Sequence, residues 1–255
     1  MTDPSIARLR LYPIKALDGV EVEHAEITAT GTLAGDRRYA LHADGDVLNA
    51  KATEAVHRLK ARYPEPPHVV ALNDGDRTER FDLREERAAA ERFCSDHFDR
   101  DVSIRERETG FVDRTNAGPS VISTATLRTV AGWYDALGTH ELRRRLRANV
   151  EVEGVPAFWE DQFVGDGPDG FTAGDVRIEG VEACVRCLVP ERDPDTGRHD
   201  PEFRERFLER RREALPAWID ENDLDSLYSL MLIASVPEAD RGRTLSVGDT
   251  VPDPG

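Results

Sequence analysis

A mainly β, α+β fold is what this sequence of 255 residues predicts, a β-rich barrel with appended helices. Three observations point there. Polar and apolar residues alternate in short pieces through the first third, as in Ala7-Arg8-Leu9-Arg10-Leu11-Tyr12, the period of a strand buried on one face. Asp44-Gly45 and Asn73-Asp74-Gly75 each separate two such pieces, which is hairpin turn chemistry. Helix-like segments are too few to alternate regularly with strands, which argues against a doubly wound sheet.

The elements follow in order. After residues 7–12, the alternation in 20–23 gives a second strand, 38–41 with 47–49 a hairpin, and 68–72 with 80–83 another. Residues 84–98 read as a helix with a weak apolar stripe of Ala88, Ala89, Phe93 and Cys94, and 102–105 returns as a strand. Beyond the polar stretch 109–119, Ser123-Thr124 opens a capped helix carrying Val130, Trp133, Tyr134 and Leu137, with Gly138 at its end. A short helix over 141–145 precedes a strand at 149–152. Strands are expected at 175–181, 188–189, 228–235 and 244–251, the last turning at Gly248-Asp249, and a charged helix at 202–212.

Composition narrows the function. Fifty acidic residues against 34 basic ones give a net charge of −16, which argues against a phosphate-tracking nucleic-acid binder and against docking on an anionic membrane. Of the cations 31 are Arg, and only Lys15, Lys51 and Lys60 are Lys, so an acid-rich, Lys-poor exterior suited to a high-salt cytoplasm is expected. The N-terminus lacks a secretory apolar core and no apolar run reaches about 18 residues, so a soluble, cytoplasmic protein is expected. Three cysteines do not make a disulfide scaffold, and any special role for them is chemical.

The most informative local feature is Cys184-Val185-Arg186-Cys187, where a guanidinium neighbours two soft sulfur ligands or nucleophiles. No second such pair completes a four-ligand zinc site, and the motif follows a strand instead of opening a helix as in a thioredoxin-like dithiol. Two buried structural thiols are the plain alternative. Lys15, Asp36-Arg37-Arg38 and Arg143-Arg144-Arg145-Leu146-Arg147 are the cationic groups, and converging in one cleft they would form an anion pocket. Arg143, Arg144 and Arg145 read first as a solvated helix face pairing with surface acids. Asp193-Pro194-Asp195-Thr196-Gly197 reads as a turn, since the loop spacing of a calcium site is missing. Glu160-Asp161 reads as a solvated pair with a proton relay as the sharper alternative, and the seven histidines as surface or satisfied core.

Leu11-Tyr12-Pro13-Ile14-Lys15 and Gly35-Asp36-Arg37-Arg38-Tyr39 resemble the N-terminal β-barrel domain that accompanies MOSC (molybdenum cofactor sulfurase C-terminal) domains. Leu146-Arg147-Ala148-Asn149-Val150, Phe158-Trp159-Glu160-Asp161, Gly174-Asp175-Val176, the Cys184–Cys187 motif, Asp193–Gly197 and Val247-Gly248-Asp249-Thr250-Val251 resemble the MOSC domain itself, in family order. The resemblance implies two β-barrel-like lobes, over residues 1–110 and 111–255, and a molybdenum cofactor (molybdopterin) as in amidoxime-reducing components. It implies Cys187 as the catalytic thiolate on the metal, with Arg186 and Cys184 in support. Lys15, Arg37, Arg147 and Asn149 match positions that contact the cofactor's phosphate and pterin, and Ser123 a serine opening a helix beside it. Leu146, Ala148 and Thr124 depart from the family's usual residues. The implied reaction is reduction of a small N-hydroxylated substrate by oxygen-atom transfer. Only Pro252-Asp253-Pro254-Gly255 follow Val251, so electrons are expected from a separate ferredoxin or flavoprotein reductase. A sulfur or cofactor carrier without turnover is the alternative, and a pyridoxal phosphate site at Lys15 a more distant one.

Overall fold

The computed structural model describes residues 3–113, 118–165, 169–217, 219 and 224–252. The chain opens with β1 (Ser5–Leu11), β2 (Val20–Val22) and β3 (His24–Glu26). A register shift between Ile6 and Arg8 moves the alternation of β1 by one, so Ile6, Leu9 and Leu11 all reach the core. A first lobe follows, built from β4 (Tyr39–Ala43), β5 (Asp46–Val47), α1 (Ala55–Arg58), β6 (Lys60–Glu65), β7 (Val69–Asn73), β8 (Thr78–Asp82), α2 (Arg87–Phe98) and β9 (Ser103–Glu106). Its antiparallel sheets run β5-β4-β9 and β6-β7-β8. Tyr39, Leu41, Val70, Leu72, Phe81 and Phe93 fill the space between them and α2. Both hairpins turn where Asp44-Gly45 and Asn73-Asp74-Gly75 predict.

The second lobe holds β10 (Ser120–Ser123), α3 (Thr124–Ala131), α4 (Thr139–Leu146), β11 (Val150–Glu153), β12 (Gly170–Ala173), β13 (Val176–Val185), α5 (Phe203–Glu213), β14 (Ser229–Ser235) and β15 (Thr244–Ser246). Its sheet runs β12-β13-β14-β10-β11-β1-β2, and β3 pairs with β15. The N-terminal strands are therefore built into the C-terminal lobe's sheet, and Ile6, Leu9, Val150, Val152, Phe171 and Ile178 share one core. Among the described strands only β10 and β11 pair in parallel, and α3 and α4 form the crossover between them. The fold is thus sheet-dominated α+β, with few helices, as the sequence predicts.

Four expectations are corrected. The helix opening at Ser123 stops at Ala131, because Gly132 ends it; Trp133 and Tyr134 leave the helix to stack on Phe158 and Phe203, and Gly138 caps α4 instead. Val189–Glu191 is a 3-10 turn and not a strand, since Pro190 has no N–H for a ladder. The last strand ends at Ser246, where Val247-Gly248 turns with Gly248 at φ +91°. Glu160 and Asp161 are fully buried, because the 3-10 turn Trp159–Phe163 carries them beneath α3 and α5. The Asp161 carboxylate accepts from Arg211, itself fully buried and 4.2 Å above the Phe158 ring.

Candidate functional site

A cleft of about 720 Å³ lies between the lobes and gathers Lys15, Arg37, Arg147, Asn149, Arg186, Cys184 and Cys187. Lys15 is delivered by the side-by-side pairing of the two N-terminal motifs. The Arg37 N–H donates to Tyr12 O at 2.9 Å, that of Tyr39 to Pro13 O at 2.9 Å, and that of Lys15 to Tyr39 O at 2.8 Å. Asp36 fixes this corner by accepting from the Tyr12 N–H at 2.8 Å and from the Arg37 guanidinium. The Lys15 ammonium donates to Phe111 O at 2.9 Å and to Asp113 Oδ1 at 2.6 Å. Burial weakens Arg37 as a base, but the charges of Asp36, Tyr12 and Asp113 outweigh it and raise its pKa.

From the opposite wall comes Arg147, which ends α4 in the left-handed region at φ +64°. That conformation usually falls to glycine at a helix end. Its guanidinium donates to Leu17 O at 2.6 Å and sits 4.1 Å above the Tyr12 ring, while Arg37 lies 5.6 Å from the same ring. Tyr12 is thus clasped by two cations. Burial first, and the like charge of Arg37, lower the Arg147 pKa against the pull of Tyr12. Asn149 is buried, its Oδ1 accepting from Ser120 Oγ at 3.0 Å and its Nδ2 donating to Arg10 O at 3.0 Å, so it braces the wall.

The thiols sit on the floor. Ala183 pairs with Leu232 and Val185 with Ser229, so Leu230 and Met231 together face Cys184 in a β-bulge. Met231 takes φ +71° there, a strained backbone for a side chain, opposite Cys184. Cys184 is buried and Cys187, in the loop beyond, is partly exposed. Arg186 lies between them: its N–H donates to Tyr228 O at 2.8 Å, Nη1 to Cys184 Sγ at 3.1 Å and Nη2 to Leu146 O at 3.0 Å. Its buried Nε has no acceptor among the described residues. The guanidinium therefore touches Cys184, the thiol that is not exposed, and ties the loop carrying Cys187 to the end of α4.

Ser123 is not brought to the cleft. Its Oγ accepts from the Thr126 N–H at 2.9 Å as the cap of α3 and donates to Pro156 O at 3.2 Å, while Ser120, three residues earlier, lines the cleft. The solvated reading of Arg143–Arg145 also gives way. Arg143 meets the buried Glu151 with both Nε (2.6 Å) and Nη2 (2.9 Å), Arg145 is buried against Glu141 and Pro190 O, and Arg144 lines the cleft.

One rim of the cleft is clasped by the turn at 193–197. Asp193 Oδ1 accepts from the N–H groups of Asp195 and Thr196, forming the expected turn. Asp195 takes a forked pair from Arg144 at 2.6 and 2.8 Å and an ion pair from Lys60 at 2.9 Å. Lys60 also donates to His57 O at 2.6 Å and Pro194 O at 2.9 Å. Arg192 reaches Glu54 at 3.4 Å. Gly197 packs so close to Glu54 that a Cβ would stand 2.9 Å from Glu54 Cα. Lys51, Asp113, Tyr12 and His57 belong to the site's surroundings without having been singled out in the sequence. Lysine scarcity, which marks Lys15, marks Lys51 equally. Burial and the charges of Arg192, Lys60 and Arg147 keep His57 below its ordinary pKa against a backbone bond to Ala50.

Chemically, then, this is an α+β protein with one accessible thiol on the floor of a cation-lined interlobe cleft. Among the described residues no three of His, Cys, Asp and Glu converge to hold a metal, so a metal at Cys187 would take its other ligands from a non-protein group. The donors present fit an anionic, sulfur-compatible cofactor: Arg147 and Arg186 meet no carboxylate among the described residues, and the Arg186 Nε is orphaned.

Residues 3–110 match the MOSC N-terminal beta barrel domain and residues 117–251 the MOSC domain, so the chain belongs to the MOSC family. It is similar to human mitochondrial amidoxime-reducing component 1, 23% identical over 239 residues, covering 76% of this chain and 67% of that one. It is also similar to the molybdenum cofactor sulfurase of Caenorhabditis briggsae, 26% identical over 223 residues, covering 78% of this chain but only 30% of that protein. Among solved structures, the YUAD protein from Bacillus subtilis aligns over 98% of this chain and 94% of its own, at 11% identity and a TM-score of 0.40. No helix among the described residues is long and apolar enough to cross a membrane.

Proposed function

We propose that this chain is a molybdenum-cofactor oxidoreductase that removes the oxygen of small N-hydroxylated substrates, with electrons from a separate ferredoxin or flavoprotein reductase. The observation that carries the reading is the accessible Cys187 thiol on the floor of a cleft whose walls bring Lys15 and Arg37 from one side and Arg147 and Arg186 from the other. The similarity to amidoxime-reducing components supports the reaction class. A bound molybdenum cofactor supplies two-electron oxygen-atom transfer.

The chain's own residues do the rest. Cys187 would offer its soft sulfur as the protein's ligand to the metal. Lys15 and Arg37 would hold a phosphate, Lys15 as a compact point charge and Arg37 as a fork. Arg147, pinned over Tyr12, would meet a polar group of the cofactor, and Asn149 holds the strand end that follows it. Arg186 fixes the loop that presents Cys187. Conversion of R-NHOH to R-NH2 and water consumes two electrons and two protons, so the donor protein and the solvent in the cleft complete the balance.

Protein purified from a host that makes the cofactor should contain molybdenum, and Cys187→Ser should lose metal and N-hydroxylamine reduction together. Wild-type protein without molybdenum overturns the reading. A second reading, a carrier of sulfur or of the cofactor, is favoured by the similarity to molybdenum cofactor sulfurase. Molybdenum retained with no reduction, even with a strong artificial donor, selects it.

A further inference from the structure

The carboxylate of Asp113 stands in an unusual place. It belongs to the segment leaving the first lobe, its side chain is 74% exposed, and yet it is held at 2.6 Å by the Lys15 ammonium, which is only 19% exposed. The same ammonium donates to Phe111 O, so Lys15 pins this segment at two points. Arg37 and Lys51 line the cleft beside Asp113. Burial raises the Asp113 pKa, but the Lys15 hydrogen bond and charge, followed by the charges of Arg37 and Lys51, bring it below the ordinary carboxylate range. A carboxylate bonded to one ammonium, with the charges of Arg37 and Lys51 nearby in a cleft otherwise short of acids, has the surroundings of a bound anion.

We propose that Asp113 is a resident stand-in for the anionic group of a phosphate-bearing ligand, occupying the Lys15, Arg37 and Lys51 subsite until that ligand displaces it. The identity of the ligand rests on the cofactor reading above, but the displacement does not. Its physical basis is competition. Lys15 has three N–H donors, of which two are spent on the segment 111–113, so a phosphate oxygen gains the ammonium fully only when Asp113 lets go. Displacement frees Asp113 and loosens the Phe111 contact with Lys15, which links ligand binding to the segment joining the lobes. Loading the cleft is therefore coupled to a local release of the chain, a coupling free energy that acts equally in both directions.

The test uses inorganic phosphate as the probe, with cofactor-free full-length protein in a calorimeter. Asp113→Asn should bind phosphate about tenfold tighter than wild type, the effect of removing a competing charge worth about 1.4 kcal/mol. Asp18→Asn removes an equal charge from the same cleft, where Asp18 lies 3.6 Å from Arg144, and should change phosphate affinity less than about twofold. In wild type, phosphate should speed hydrogen exchange across residues 107–113, and in D113N, already released, it should not. D113N should melt with wild type, and Asp113→Ala, with the same affinity gain, guards against an effect peculiar to Asn. Phosphate that binds D113N no tighter than wild type, or not at all, overturns the proposal. So does an equal gain in D18N, or slowed exchange at 107–113 in wild type. Molybdenum content is read separately on protein from a cofactor-making host: a phosphate gain in D113N without molybdenum in wild type keeps this proposal and fails the cofactor reading, and the reverse result fails this one alone.

Discussion

Glu160 lies fully buried beneath α3, where its Oε2 accepts from Thr126 Oγ1 at 3.0 Å and from the Ser123 N–H at 3.2 Å, while its Oε1 has no side-chain partner among the described residues. Burial foremost, and then the charge of Asp161, raise its pKa above the ordinary carboxylate value. A raised folded-state pKa means the native protein binds this proton more tightly than the unfolded chain. The stability it contributes is fully present below the unfolded value and is lost as pH rises through the folded one. Wild type should therefore lose up to about 1.4 kcal/mol per pH unit across that interval. Glu160→Gln keeps an oxygen for Thr126 and Ser123 and puts an uncharged amide where Oε1 stands. Urea denaturation of both proteins from roughly pH 5 to 8 checks this. The variant should match wild type at the acid end and exceed it at the alkaline end. Parallel curves, or a variant weaker than wild type at the alkaline end, would refute the assignment of the proton to Glu160.

Arg147 and Gly197 give two further outcomes. Arg147→Gly and Arg147→Ala both delete the guanidinium, but glycine accepts φ +64° freely, so the glycine variant should be more stable than the alanine one by about 1 kcal/mol in thermal unfolding, with molybdenum loss equal in both. Gly197→Ala forces a Cβ to 2.9 Å from Glu54 Cα at φ +76°, so it should cost about 1–3 kcal/mol and speed hydrogen exchange in residues 54–60, read by mass spectrometry.

The strands and hairpins were legible because alternation and Asp-Gly or Asn-Asp-Gly turns are local signals, and both hairpins close at those turns. Long-range pairing is not local. Nothing in residues 5–26 announces that β1 lies against β11 and β3 against β15, across more than a hundred residues. The cationic site residues were legible as unusual composition and motif; their convergence required the pairing of the Tyr12 and Arg37 segments. Ser123 was legible as a cap, and its oxygen is consumed by capping, so helix-opening chemistry and ligand chemistry looked alike in sequence. Glu160-Asp161 misled for the opposite reason. Adjacent carboxylates are ordinarily solvated, and the partner that permits burial, Arg211, lies fifty residues downstream on α5.

The three lysines link that composition to the geometry. All of them stand at the interlobe cleft, Lys15 and Lys51 in its lining and Lys60 at its clasped rim, in a chain whose other 31 cations are arginine. Lys60 explains the choice most directly, for its ammonium meets His57 O, Pro194 O and Asp195 Oδ1, three acceptors that approach from both lobes. A rotating ammonium with three donors satisfies acceptors converging on one point, whereas a planar guanidinium spreads its donors over a fork. At Lys15 the same geometry spends two donors on Phe111 and Asp113. Arginine serves where a carboxylate can be gripped side-on, as Arg143 grips Glu151 and Arg144 grips Asp195. Lys60 therefore marks a point where acceptors from both lobes converge, and a Lys60→Arg replacement, conservative in charge, should lower the melting temperature because a planar fork cannot meet all three acceptors.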